Sequence, residues 1–328
     1  MKIFVLLCVL VFLPVSVYAE FSGFEEEPIT VGDYELNGVL VMPVAVELPP
    51  VVIFVHGTGQ TDMDSTFGGV APFRDIAHGL GEGGVASIRF NKRFWQHPPI
   101  PQDMTIWTEI LEDVAAAIEM AENDDRLGDI YLLGFSLGGI LAPHIAYEHE
   151  SVRGIISLAG SPRPFSEILV SQSNMLLYMY ARSVGIEMPV GFPIGQIINF
   201  VLGLDYELLT TNEAVLGLVR QFGFPIRYLL SLREIDTGIV RYVDVPMLIL
   251  HGEEDLQLLA AEDFAAWQEV LYGRENVQFI LYEGLNHFFT PHVPELGYRQ
   301  TLAEAVVDFR VVGDVLRWLA DLATPSGQ

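Results

Sequence analysis

Short apolar runs recur along the chain, and each ends in glycine or in a polar turn. Between the earlier runs lie segments with helical spacing of apolar residues, at Pro72–Leu80 and Thr108–Asn123. Runs this short that are apolar throughout are typical of strands buried on both faces of a sheet. The pattern therefore predicts an α/β fold, in which helices cover a mostly parallel, doubly wound sheet. The predicted buried strands are Val51–Val55, Val85–Phe90, Ile130–Leu133, Val152–Leu158, Val245–Leu250 and Val277–Tyr282.

The pattern is different at the start of this region. Half of residues 20–27 are glutamates, and this segment predicts a disordered acidic lead-in. Residues 33–43 predict a pair of short strands joined by a turn at Asn37-Gly38, because Asn-Gly is a strong hairpin signal.

The alternation of strands and helices stops after Pro164. From Phe165 to Tyr242 the sequence has helical patterns with many bulky apolar residues, and strands resume near Val245. Such an insertion at the carboxyl edge of a sheet predicts a helical lid over an apolar pocket. The alternative is a packed helical subdomain with no role in binding. A last helix is predicted over Leu302–Leu322.

The first residues predict a signal peptide. Lys2 gives a positive start, Ile3–Leu13 is apolar, and Val17-Tyr18-Ala19 is a small-residue cleavage site. Cleavage near Ala19 would export the chain to the periplasm or the exterior; an uncleaved membrane anchor is the alternative. The predicted organisation is therefore a signal peptide (1–19), a first core segment (20–164), the lid (165–242) and a second core segment (243–328).

Composition narrows the function. The chain is 51% hydrophobic and 18% charged, which suits one large globular domain with an insertion, or two small domains. Its net charge of −26 opposes binding to nucleic acid or to anionic membranes, so stable membrane association after cleavage is not expected. Cys8, the only cysteine, lies in the leader, which excludes a catalytic thiol, a disulfide scaffold and a cysteine-ligated metal. No metal or cofactor is predicted.

The candidate nucleophile is Ser136. It lies in Gly134-Phe135-Ser136-Leu137-Gly138, between the strand Ile130–Leu133 and a predicted helix over Ile140–Tyr147. Strand, Gly-x-Ser-x-Gly and helix in this order are typical of the nucleophile elbow, a sharp turn that lifts the serine hydroxyl above the sheet. The alternative is a glycine-rich turn with a structural serine.

A serine hydroxyl needs a base that removes its proton and an acid that orients the base. His287 is the predicted base and Asp255 the predicted acid, since each follows the end of a downstream strand in the expected order. His292 is the rival base, and either Glu253 or Glu254 could replace Asp255. His251 is predicted to be structural.

An acyl-transfer site also needs donors for the oxyanion. The predicted donors are the backbone N–H of Leu137 and that of Thr58, with Gly59 as an alternative to Thr58.

Together these motifs resemble the α/β-hydrolase superfamily. Within it, the chain is similar to bacterial esterases and S33-type serine hydrolases, whose first loop is His-Gly-Ser-Gly-Pro-Asn-Asp-Arg-Asp. Here Gln60 and Met63 replace the Pro and Arg, and Asn91 replaces the acid of a later Asp-Lys-Arg. The segments that carry the resemblance are His56–Gly59, Gly134–Gly139, His251–Asp255 and Asn286–Phe288.

The resemblance implies the α/β-hydrolase fold and hydrolysis through a serine triad. The expected function is an exported serine hydrolase that cleaves small carboxylic esters with short to medium acyl or aryl groups. The alternatives are a peptidase or amidase with the same triad, and a catalytically silent binding protein. The sequence leaves the oligomeric state open.

Overall fold

A single sheet of eight strands forms the centre of the computed structural model, which describes residues 23–172, 174, 225–295 and 305–323. The strand order is β1-β2-β4-β3-β5-β6-β7-β8. β1, β2 and β4 pair antiparallel, and all pairs from β4 to β8 are parallel. The strands are β1 (Phe24–Val31), β2 (Leu36–Pro43), β3 (Val51–Val55), β4 (Ala86–Phe90), β5 (Ile130–Phe135), β6 (Val152–Leu158), β7 (Met247–Gly252) and β8 (Val277–Tyr282).

Helices cover both faces of the sheet, so the predicted fold class is confirmed. The α-helices are α1 (Pro72–Glu82), α2 (Arg93–Gln96), α3 (Glu112–Glu122), α4 (Leu137–Glu148), α5 (Ile226–Ser231), α6 (Ala265–Val270) and α7 (Phe309–Ala323). α3 and α4 pack in the apolar core on one face, and α1 and α7 pack in the core on the other. The side chains of β3 alternate between these two cores, which explains why this strand is apolar throughout.

The predicted hairpin turn at Asn37-Gly38 is wrong. The chain turns at residues 32–35, and Gly38 lies inside β2 opposite Ile29 of β1. A Cβ atom at Gly38 would lie 2.7 Å from the carbonyl oxygen of Arg89 in β4. The glycine therefore allows close packing between two neighbouring strands and does not form the turn.

The disorder predicted for the acidic lead-in is also wrong for the part of it that the structure describes, which begins at residue 23. Glu25 to Glu27 belong to β1, and cations hold two of these carboxylates. The Arg89 guanidinium donates to Glu26, and Arg126 lies 2.9 Å from Glu27. Pairing with β2 and with these cations orders a segment whose composition alone favours disorder.

The helix predicted over Thr108–Asn123 begins with a wide, π-helical turn at Trp107–Leu111 before it continues as α3. In this turn Glu109 is buried although it is charged, with 1% of its surface exposed. Single π-turns of this kind are frequent at functional sites.

Most of the predicted lid, residues 175–224, lies outside the described residues, and so does the predicted signal peptide. The described ends of the lid segment are helical, at residues 165–172 and in α5, followed by 3₁₀ turns at Leu232–Glu234 and Thr237–Tyr242. The lid and the leader stay predictions. Within the described ranges no helix has the length and apolar character needed to cross a bilayer.

Candidate active site

Ser136 occupies a strained turn between β5 and α4. Its backbone angles are φ 54° and ψ −116°, a region that residues other than glycine rarely adopt. The Ser136 N–H donates to the carbonyl of Leu158 in β6 at 2.8 Å. This bond joins the turn to the adjacent strand and holds the serine at the carboxyl edge of the sheet.

The two glycines that flank the turn make its sharpness possible. A Cβ atom at Gly138 would collide with the carbonyl oxygens of Val55 and His56, at the end of β3. A Cβ atom at Gly134 would collide with the backbone of Gly138. Only glycine can therefore occupy these positions without moving a main chain.

His287 and Asp255 lie in the loops after β8 and β7, and the structure brings them together. The His287 Nδ1 is 2.7 Å from the Asp255 Oδ2, and each residue is only 2% exposed. The other oxygen of Asp255, Oδ1, accepts the N–H groups of Gln257 and Leu258 at 2.7 and 3.0 Å. One carboxylate oxygen thus orders its own loop while the other orients the histidine.

The surroundings of Asp255 keep it ionised. Burial alone would raise the pKa of its carboxyl, but the charge and hydrogen bond of His287 outweigh this effect, with smaller help from His251 and the Leu258 N–H. The net result is a pKa below the ordinary value of an aspartate. Asp255 is therefore an anion that accepts the proton on the His287 Nδ1 at neutral pH.

A turn organised by Asn286 presents His287. The Asn286 Nδ2 donates to the Thr290 Oγ1 at 2.9 Å, and its Oδ1 accepts the N–H of Phe288 at 2.9 Å. The imidazole packs against the rings of Phe135 and Phe288, with centroid distances of 5.0 and 5.4 Å. These contacts restrict the ring to one orientation.

Ser136 and His287 face a common cavity of ≈ 320 Å³. Asp255 lies behind His287, away from this cavity. Its lining combines aromatic side chains with polar ones. The described residues that line it are Gly57, Thr58, Thr61, Ser65, Phe67, Phe135, Ser136, Gln172, Gln257, His287 and Phe288.

Two backbone N–H groups beside Ser136 are available as oxyanion donors. The N–H of Leu137 and that of Thr58 meet no acceptor within the described ranges. Gly57 packs against Ser136, since a Cβ atom on Gly57 would lie 3.3 Å from the serine Cβ. Thr58 lines the cavity and Gly59 does not, so the geometry favours Thr58 over Gly59.

The rival residues are placed differently. Among the three candidate acids, Asp255 has the hydrogen bond to the His287 Nδ1, while the N–H groups of Glu253 and Glu254 bind the carbonyls of Tyr282 and Leu285. His292 is not among the described residues that line the cavity. His251 is fully buried, and its Nε2 lies 2.7 Å from the carbonyl of Leu258 in the Asp255 loop.

His56, next to the cavity loop, is a structural histidine. Its Nε2 lies 2.6 Å from the carbonyl of Phe90, which can only accept, so this nitrogen carries the proton. Its Nδ1 accepts from the Thr61 hydroxyl at 3.2 Å. Burial, together with the positive charge of Lys92, lowers the pKa of His56 to about 3. The ring is therefore neutral at neutral pH.

Sequence reasoning missed a buried ion pair beneath the same loop. The Lys92 ammonium is 2.7 Å from the Glu109 Oε1 and 2.9 Å from the carbonyl oxygen of Gly57. Both charged residues are 1% exposed. The only signal for it in the sequence was Asn91-Lys92-Arg93, which the resemblance included without assigning a partner.

Comparison with known proteins gives a consistent relationship. Residues 50–290 match the family model of the S33 serine aminopeptidases. The chain is 31% identical over 303 residues to esterase EstD of Thermotoga maritima, an alignment that covers 92% of this chain and 69% of EstD.

The fold is also found in solved structures. Est1E of Butyrivibrio proteoclasticus superposes with a TM-score of 0.56 at 19% identity, over 90% of this chain and 99% of Est1E. The Pyrococcus furiosus esterase Pf2001 superposes with a TM-score of 0.55 at 14% identity, over 91% of this chain and 90% of that one. From the match to the family model and the relationship to EstD, the chain belongs to the S33 serine aminopeptidase family of α/β-hydrolases.

Proposed function

We propose that this protein is an exported serine esterase in which Ser136, His287 and Asp255 form the catalytic triad. The observation that carries the proposal is the 2.7 Å hydrogen bond between His287 and Asp255, because the His287 imidazole lines the same cavity as Ser136. The relationship to EstD, an esterase, supports the reaction class.

The proposed chemistry follows from the proton positions. Because Asp255 accepts the proton on Nδ1, the Nε2 of the neutral His287 ring carries no proton and is the nitrogen that can take one up. Nε2 takes the Ser136 proton while Oγ attacks the ester carbonyl carbon, and the N–H groups of Leu137 and Thr58 stabilise the oxyanion. His287 then protonates the leaving alcohol oxygen, and the acyl group stays on Ser136. Water, deprotonated by His287, releases the acid and regenerates the hydroxyl.

The cavity favours an ester over the N-terminus of a peptide. An aminopeptidase needs an anionic or strongly polar partner for the substrate ammonium, but the described residues lining the cavity include no aspartate or glutamate. The described wall instead presents Phe67, Phe135 and Phe288, with Phe67 and Phe288 stacked at 5.0 Å. These rings suit a short to medium acyl or aryl group.

Hydrolysis of matched esters and anilides tests the proposal. We expect p-nitrophenyl esters of acetate to octanoate to be cleaved much faster than p-nitroanilides of the same acids. A fluorophosphonate probe should label the protein at Ser136, and Ser136→Ala should abolish both hydrolysis and labelling. Ser87→Ala, which removes another buried hydroxyl in β4, is the matched control and should keep both.

Three results would overturn the proposal. Hydrolysis that persists in Ser136→Ala would show that another group is the nucleophile. Faster cleavage of the anilides would favour the peptidase, and no reaction with probe or ester would favour a binding protein.

Export is tested separately. The positive residue, apolar run and small-residue site of the first 19 residues support it. The mature protein, isolated from a host with a secretion system, should begin at about Glu20 and lie outside the cytoplasm. An intact N-terminus on a cytoplasmic protein would contradict export without affecting the triad.

A further inference from the structure

The Lys92 ammonium lies directly behind the peptide that provides the proposed oxyanion donor. It donates to the carbonyl oxygen of Gly57 at 2.9 Å from a fully buried position. The carbonyl of Gly57 and the N–H of Thr58 belong to one peptide unit. The contact therefore acts on the donor group although Lys92 does not reach the cavity, whose described lining excludes it.

The planarity of the peptide transmits the effect. In a trans peptide the C=O and the N–H point in opposite directions within one plane. When Lys92 fixes the Gly57 oxygen towards the protein interior, the Thr58 N–H is turned the other way. Both residues line the cavity with Ser136 and Lys92 does not, so the side of this peptide opposite Lys92 is the cavity side.

The charge of Lys92 adds to this orientation. A cation on the carbonyl oxygen polarises the peptide and makes its N–H a stronger donor, and a buried cation is screened little by water. The rate gain from an oxyanion hole comes from dipoles already aimed at the developing charge. Lys92 both aims this dipole and enlarges it.

A dedicated set of contacts holds Lys92 in place. The Glu109 Oε1 accepts from Lys92 at 2.7 Å and from the Gln60 Nε2 at 2.9 Å. Glu109 reaches this position from the π-helical turn at Trp107–Leu111. The N–H of Lys92 also donates to the carbonyl of Thr61 at 3.3 Å, which ties the lysine backbone to the far end of the same loop.

We infer that Lys92, held by Glu109, is a positioning residue that orients and polarises the Gly57–Thr58 peptide as an oxyanion donor. This inference rests on the proposed esterase function. It assigns a role in catalysis to a buried ion pair that would otherwise serve stability alone.

The test removes the ion pair as a unit, because deleting one partner leaves the other charge buried and uncompensated. In Lys92→Met/Glu109→Leu we expect kcat to fall about 10- to 100-fold with little change in KM, below the 10²- to 10³-fold loss for a deleted oxyanion donor. Affinity for an aryl trifluoromethyl ketone, which forms a tetrahedral oxyanion on the serine, should fall by the same factor as kcat/KM.

A neighbouring ion pair gives the matched control. Arg93 and Asp113 lie 2.6 Å apart and are each 3% exposed, and the Arg93 side chain donates hydrogen bonds to Asp113 and not to the Gly57–Thr58 peptide. Arg93→Met/Asp113→Leu removes a buried ion pair in the same way, and its kcat and ketone affinity should stay near the wild-type values. If Lys92→Met/Glu109→Leu does not fold, Lys92→Gln/Glu109→Gln also removes both charges, and the shorter amide at position 92 should give the same loss of kcat with little change in KM.

The outcomes separate the two proposals. Wild-type activity that requires Ser136, together with an unchanged kcat and ketone affinity in the folded Lys92 variants, would overturn the inference alone. An equal loss of kcat in the Arg93 control would also overturn it, since the effect would then be general destabilisation. Absence of Ser136-dependent hydrolysis in the wild type would overturn the proposed function, and this inference with it.

Discussion

Replacing Asp255 by asparagine tests the site at its most informative atom. The Oδ1 of Asp255 receives two N–H groups, from Gln257 and Leu258, while Oδ2 receives the proton of the His287 Nδ1. An asparagine must place its single oxygen in one of these two positions. We expect the asparagine oxygen to take the Oδ1 position, where two N–H groups donate to it. An NH₂ group in that position would leave both N–H groups without an acceptor, at a cost of about 1 kcal/mol or more each.

The NH₂ group of the introduced asparagine would then point at the His287 Nδ1. That nitrogen would have to accept, so the imidazole proton would move to Nε2, the atom that must take the Ser136 proton. In an unrelated serine hydrolase fold the same exchange lowers kcat about 10⁴-fold through the wrong tautomer. We expect a similar loss in Asp255→Asn, which corresponds to about 5.5 kcal/mol of barrier.

The assay is kcat for p-nitrophenyl butyrate, with circular dichroism and a melting curve to show that the variant is folded. Glu254→Gln, one position away, is the matched control and should retain a kcat close to that of the wild type. A folded Asp255→Asn enzyme with kcat within about tenfold of the wild type would refute the assignment of this carboxylate to His287.

Two further predictions concern glycine and histidine. Gly138→Ala should lower the free energy of unfolding by about 3 kcal/mol or more, because the methyl group would meet the backbone at the end of β3. Gly313→Ala, on the open face of α7, should raise it by about 0.5–1 kcal/mol. Chemical denaturation measures both changes, and equal effects would contradict the steric argument. The pKa of His56 is about 3 in the folded protein, against an ordinary value of 6.5. As the pH falls, the unfolded chain therefore binds a proton on His56 before the folded protein does. Its contribution to stability is therefore present above pH 6.5 and is lost as the pH falls towards 3, at up to about 1.4 kcal/mol per pH unit. His56→Gln should remove this part of the slope in denaturation curves between pH 4 and 7, and parallel curves for the two proteins would show that His56 does not supply it.

The parallel sheet and the elbow could be predicted from the sequence because their signals are local. An apolar run such as Val51–Val55 can bury all of its side chains only in a strand that is covered on both faces. A strand followed by Gly-x-Ser-x-Gly and a helix is compatible with few structures other than the elbow. The order of Ser136, Asp255 and His287 along the chain then placed all three at one sheet edge.

The hairpin turn was predicted at the wrong position, and the ion pair was not predicted, for a different reason. Asn37-Gly38 has the local preference of a turn, but β2 lies between two strands and needs a residue without a side chain at that point. Lys92 and Glu109 are 17 positions apart, and Glu109 contacts the lysine from an irregular, π-helical turn. Tertiary packing decided both outcomes, and no short window of sequence contains it.

The backbone at Ser136 has a consequence for how such a chain can change. A residue with a side chain at φ 54° and ψ −116° costs on the order of 1–3 kcal/mol, which glycine would not incur. Selection for thermostability alone would thus favour glycine at this position and remove the hydroxyl with it. At position 136, the residue that would be best for stability therefore differs from the residue that the proposed hydrolysis needs. Stabilising substitutions have to be sought elsewhere in the molecule.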